Sequence, residues 1–131
     1  MIQNFLPYQE SLELKELGFD EPCVGFYQDT SNLKAIDQHW GMSICGISES
    51  GGFRVNDITL APLFSQVFKF FRDKYNLYHY ITTHDGSDFE WYIYDKDQLD
   101  WEDDTTQNTY EEAELICARK LIEIVKKQNN G

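Results

Sequence analysis

The chain reads as an α+β domain, an antiparallel sheet of about four to five strands with three helices packed on it, in the order α-β-β-(β)-α-β-β-α. Three observations predict this. Segments with helical apolar periodicity carry capping signals at their ends, β-rich runs bounded by turn residues lie between them, and 131 residues suit one globular domain spanning residues 1–131. Aromatics at 15% and an AVILMFWYC content of 41% separate this acidic chain from disordered ones, which are poor in such residues.

The first helix is expected over residues 8–18. Pro7 stands at its start, acids come early, Gly18 stops it, and Phe19 falls where a Schellman ending places an apolar contact back onto the helix. Glu21-Pro22 turns the chain into a first strand at residues 23–28, and the polar stretch 29–38 reads as a loop. A second strand is expected at 40–47, a turn at 49–52 with Gly51-Gly52, and a short third strand at 53–55. From Thr59, with Pro62 in its first turn, a second helix is expected, because Phe64, Val67, Phe68, Phe71 and Tyr75 fall on one helical row.

Residues 78–83 and 89–94 are β-rich runs around His84-Asp85-Gly86-Ser87-Asp88 and predict a hairpin with a longer loop. Alternation places Phe89, Trp91 and Ile93 on one face and Glu90, Tyr92 and Tyr94 on the other. Thr109-Tyr110-Glu111-Glu112 is a capping box opening the last helix. Its apolar rows are Leu115, Ala118, Ile122, Val125 and, beside them, Cys117, Leu121, Ile124, with Lys126-Lys127 matching the dipole at its end.

Charge is the most uneven property of the chain. Residues 85–114 hold twelve acids and one base, Lys96, giving −11 of a net −12; residues 1–84 contribute −4 and 115–131 contribute +3. A local field of that size selects basic partners and disfavours direct contact with DNA or RNA, whose binding depends on Lys and Arg releasing counterions. Cys23, Cys45 and Cys117 are odd in number, widely spaced and without a CxxC pair, against both a disulfide framework and a zinc site. There is no basic region followed by an apolar run at the N-terminus and no stretch of membrane-spanning length. The expectation is a protein of the host-cell cytoplasm with no membrane contact and no cofactor.

Leu6-Pro7-Tyr8, Leu12 to Cys23 (LELKELGFDEPC), Pro62-Leu63-Phe64-Ser65-Gln66-Val67-Phe68, Phe71-Arg72-Asp73-Lys74-Tyr75, Thr109 to Leu115 and Lys120 to Val125 together resemble a family of small proteins encoded by phages and prophages. The resemblance covers most of the chain, implies no catalytic residue, and implies a viral setting. In that setting, small acidic proteins that disable host defence machinery, anti-CRISPR proteins among them, are an analogy of context and charge.

Four groups of residues invite a chemical reading. Asp95, Asp97, Asp100, Glu102, Asp103 and Asp104, with Trp101, Tyr92 and Tyr94 as aromatic anchors, form a candidate partner-binding surface that imitates nucleic acid, since carboxylates two residues apart along a strand lie about 6.6 Å apart. The bland alternative is a solvated acidic loop. Asp100, Glu102, Asp104, Thr106, Asn108 and Glu111 also match the spacing of EF-hand ligands, but Thr105 replaces the glycine and a strand replaces the incoming helix. His84-Asp85 beside Thr82 and Thr83 can be drawn as a base with its orienter, without a nucleophile motif to accompany it. Lys69, Arg72 and Lys74 interleave with aromatics in a manner able to hold a nucleic acid, although the aromatics satisfy a core row and the bases a wet face. The expected function is non-enzymatic: binding a basic host protein, such as a CRISPR-associated nuclease or another nucleic-acid-binding protein, and inhibiting it. Calcium- or metal-dependent accessory function, or an interaction role unrelated to defence, is the alternative.

Overall fold

A computed structural model describes residues 4–21, 23, 25–28, 33–35, 58–96, 100–102 and 106–130. The strands expected at 40–47 and 53–55 lie outside these residues. Three helices and six strands are present among the described residues: α1 (Tyr8–Glu16), β1 (Gly25–Gln28), β2 (Leu33–Ala35), β3 (Ile58–Ala61), α2 (Phe64–Tyr75), β4 (Leu77–Thr82), β5 (Glu90–Asp95), β6 (Asp100–Glu102) and α3 (Tyr110–Asn130). The α+β class is thus observed, but the strands form two three-stranded antiparallel sheets, β2-β1-β3 and β4-β5-β6, where one sheet of four to five strands is expected from sequence. Each sheet belongs to its own compact unit, residues 1–63 and 64–131.

In the first unit α1 ends as its sequence predicts. Gly18 adopts φ 98°, the Gly18 N–H donates to Lys15 C=O (3.0 Å) and the Phe19 N–H to Leu14 C=O (3.2 Å), completing a Schellman motif with Phe19 and Leu14 both buried. Two expectations for this unit are corrected. The polar stretch 29–38 contains β2, held by its pairing with β1, and the helix expected from Thr59 is a strand as far as Ala61. Ile58-Thr59-Leu60-Ala61 is a β-prone run that finds a ladder partner in β1, and Pro62 ends it for want of an N–H.

Phe5, Tyr27 and Ala61 form a small core flanked by Tyr8 and Leu63. The Leu6 carbonyl ties it together by accepting from the Tyr27 hydroxyl (2.7 Å) and the Ser11 hydroxyl (3.1 Å). Leu6 N–H in turn donates to the Pro62 carbonyl at 2.9 Å. A Cβ on Gly25 would lie 2.7 Å from Cε1 of Phe5, so β1 passes the ring only because that residue has no side chain. Burial, and then the charge of Glu21, push the Cys23 thiol up to about 12, which leaves it a small packing group.

The second unit opens with α2, whose buried residues are Phe64, Val67, Phe68, Phe70 and Phe71. Asn76, at φ 57°, supplies the left-handed step from α2 into β4, a conformation asparagine tolerates better than most side chains. β4 and β5 pair from Leu77↔Asp95 to Thr82↔Glu90, the hairpin expected from sequence. β6 then adds to β5 through Tyr94↔Asp100, Ile93↔Trp101 and Tyr92↔Glu102. A further bridge, Phe89 with Gln107, with both N–H···O bonds at 2.8 Å, leads the chain into α3. There the Thr109 hydroxyl accepts the Glu112 N–H at 3.1 Å, the threonine half of the capping box.

Both α2 and α3 pack on this sheet. The buried face of α3 comprises Ala113, Cys117, Ala118, Leu121, Ile122, Ile124 and Val125; Leu115, assigned to an apolar row from sequence, is only half-buried. Leu77, Trp91 and Ile93 are buried on the sheet side they meet, each such large side chain stabilising by roughly 1.5–3 kcal/mol.

Candidate functional site

The alternation of β5 decides where function is to be sought in the second unit. Trp91 and Ile93 are buried, whereas Tyr92 is half-buried and Tyr94 is 39% exposed. Register carries that division to β4: His79 faces Ile93 and Ile81 faces Trp91, so Tyr78 and Tyr80 join Tyr94 and Tyr92 on the side opposite the buried residues. Tyr80 is 49% exposed.

The four tyrosines form two cross-strand stacks. Tyr80 and Tyr92 lie 4.7 Å apart between centroids with planes 16° apart, and Tyr78 and Tyr94 lie 5.5 Å apart at 18°. A diagonal contact of 6.2 Å at 58° joins Tyr80 to Tyr94. The Tyr92 hydroxyl donates to a carboxylate oxygen of Glu90 at 2.7 Å, which fixes one acid at the margin of the aromatic array.

Of the residues proposed from sequence, Tyr92 and Tyr94 therefore sit in this array. Asp100 and Glu102 belong to β6, at the backbone positions paired with Tyr94 and Tyr92. Two acids of the candidate partner-binding surface thus lie in a strand. Trp101 pairs with Ile93 and is half-buried, on the row of the sheet that meets the helices. Asp95 pairs with the buried Leu77 and shares that same row, away from Tyr92 and Tyr94. Asp97, Asp103 and Asp104 lie outside the described residues. Sequence reasoning misses Tyr78 and Tyr80 as candidate site residues, although Tyr78-His79-Tyr80 and Tyr92-Ile93-Tyr94 carry the signal: two Tyr-x-Tyr triplets on the arms of one hairpin.

The other candidate residues make local contacts within the unit. Asp85 accepts from the Ser87 N–H (2.9 Å) and the Ser87 hydroxyl (2.7 Å), bonds that hold its carboxyl below the usual range, so it closes its own turn beside His84. His79 is the histidine inside the unit. Its ring stacks on Phe68 at 3.5 Å and 15°, and burial, with the nearby Arg72 charge, lowers its pKa to about 4. In α2 the phenylalanines are buried while Lys69, Arg72 and Lys74 are exposed; Lys69 pairs with Asp73 at 3.1 Å, and Lys74 Nζ stands 5.4 Å from the Phe70 ring centroid.

The stretch with EF-hand spacing enters as a strand, with Asp100 and Glu102 in β6 and Gln107 bridged to Phe89. Among the described residues no group of three or more His, Cys, Asp or Glu is placed to hold a metal ion, and no helix is long and apolar enough to cross a membrane. Near the start of α3, burial and the charge of Glu111 raise the Glu114 carboxyl to about 7. Compared with protein-family models, with characterised proteins and with solved structures, the chain matches none.

Proposed function

We propose that this chain is a non-enzymatic binding protein that docks a basic protein surface on the tyrosine face of the β4-β5-β6 sheet. The observation that carries the reading is the two-by-two tyrosine array on the side of the sheet away from its buried residues, of which Tyr92 and Tyr94 belong to the stretch 85–114 that holds nearly all of the net charge. Exposed stacked tyrosines are rigid anchors at low entropic cost, the residue type that dominates binding hot spots. Acidity supplies the long-range attraction and the aromatics the short-range grip. Proteins with large basic surfaces are chiefly those whose own ligand is nucleic acid. A nucleic-acid-handling complex of the host, of the kind that carries out defence, is accordingly the target class, and occupation of its basic channel would inhibit it.

Affinity capture from bacterial host extract tests this with three baits: the wild-type chain, Tyr80→Ser/Tyr94→Ser, and Asp100→Asn/Glu102→Gln/Asp104→Asn. One nucleic-acid-binding species held by the wild type at about 50 mM NaCl, released by about 300 mM, and absent from both variants is the expected result. Retention by both variants, or no capture at all, would sink the proposal.

A further inference from the structure

From the make-up of the tyrosine face we infer that its occupant is an arginine-rich protein segment, and that the face selects guanidinium over ammonium; this rests on the docking role proposed above. Three features of the face point to arginine. Tyr80 and Tyr94 are 49% and 39% exposed, so their rings have surface left for a planar cation after stacking on Tyr92 and Tyr78 and meeting each other at a tilt. A guanidinium lies flat on such a ring, gaining both stacking and cation–π attraction, whereas an ammonium is a compact and strongly hydrated point charge.

The second feature is a positioned acceptor. Glu90 Oε2 accepts the Tyr92 hydroxyl at 2.7 Å, so its carboxylate stands beside the rings with lone pairs left to receive the paired N–H groups of a guanidinium. The backbone positions opposite Tyr94 and Tyr92 are both acids, Asp100 and Glu102, which places negative residues along the tyrosine rows from the other side. Third, charge discriminates among occupants. Twelve acids against one base in residues 85–114 oppose phosphate groups, and a second copy of a chain at −12 would meet its own repulsion.

The test uses the full chain and two synthetic peptides of equal length, spacing and charge, one alternating glycine with arginine and the other glycine with lysine, measured by titration calorimetry in the same low-salt buffer. The arginine peptide is expected to bind about tenfold more tightly. Tyr80→Leu/Tyr94→Leu should bring it down to the level of the lysine peptide, while Tyr80→Phe/Tyr94→Phe, which keeps the ring faces, should preserve most of the preference; circular dichroism melts establish that both variants are folded. Equal affinity for the two peptides overturns arginine selection and leaves the acidic docking reading standing. No measurable binding of either peptide overturns both. An arginine preference that survives the leucine substitutions places the site elsewhere, and tighter, tyrosine-dependent binding of a single-stranded oligonucleotide or of a second copy overturns the assigned occupant.

Discussion

Gly25 shows how much a single position can be fixed by what it lacks. Its absent Cβ leaves room for the Phe5 ring, which would otherwise be met at 2.7 Å, and both residues are buried in the first unit. Gly25→Ala removes backbone freedom from the unfolded chain, worth roughly 0.5–1 kcal/mol in favour of folding. The displaced ring must cost more than that for the glycine to matter, and overpacking a filled site costs about 1–3 kcal/mol. The expected net effect is a loss of roughly 1–2 kcal/mol, read as a lower urea midpoint, with Phe5→Leu in the same chain restoring part of it. An unchanged midpoint in Gly25→Ala would show that the ring yields without strain. Nothing in the sequence around Gly25 marks this, because Phe5 reaches it from twenty residues away through the Leu63 bridge. Tyr92 is the opposite case: alternation along residues 89–94 is enough by itself to assign it to the outer face.

Elements with strong local signals are readable from sequence, and those that exist only through pairing are not. α1 carries its own stop at Gly18, α3 its own cap at Thr109, and the β4-β5 hairpin its own alternation. β2 and β6 are three residues each, and β6 is Asp-Trp-Glu, whose acids are poor strand formers; only the neighbouring strand makes them β. Packing between elements also sets an acid-dependence that neither element shows alone. His79 on β4, stacked on Phe68 of α2, stays neutral down to about 4, while the ordinary imidazole protonates near 6.5. The unfolded chain therefore binds the extra proton first, and His79 erodes stability as pH falls from about 6.5 to 4. Glu114 on α3 acts in the other direction. Its carboxyl is raised from 4.5 to about 7, so its contribution is fully present below 4.5 and is lost as pH rises to about 7. Relative to wild type, His79→Phe should gain more melting temperature at about pH 5 than at about pH 7, and Glu114→Gln more at about pH 7 than at about pH 5. Parallel shifts of either variant at both pH values would mean that the group is not protected in the folded state.

For the molecule as a whole, charge is the property legible from composition and aromatic placement the one that requires register. The count of acids points to residues 85–114 but shows no surface; pairing of β4 with β5 sets two Tyr-x-Tyr triplets side by side, and β6 brings Asp100 and Glu102 into register with the second of them. The two properties respond to salt with opposite signs. In the free protein, like charges repel within a chain at −12, so screening should raise the melting temperature between about 10 and 300 mM NaCl, as the Debye length falls from about 30 Å to below 10 Å. Binding of an arginine-rich peptide is an attraction between opposite charges, so its affinity should fall over the same range. Asp100→Asn/Glu102→Gln/Asp104→Asn removes three of the charges and should flatten both curves together, since the same field drives the repulsion and the attraction. Affinity that holds or rises with salt would instead assign the binding to the tyrosine rings alone, with the acids serving only to keep the chain in solution.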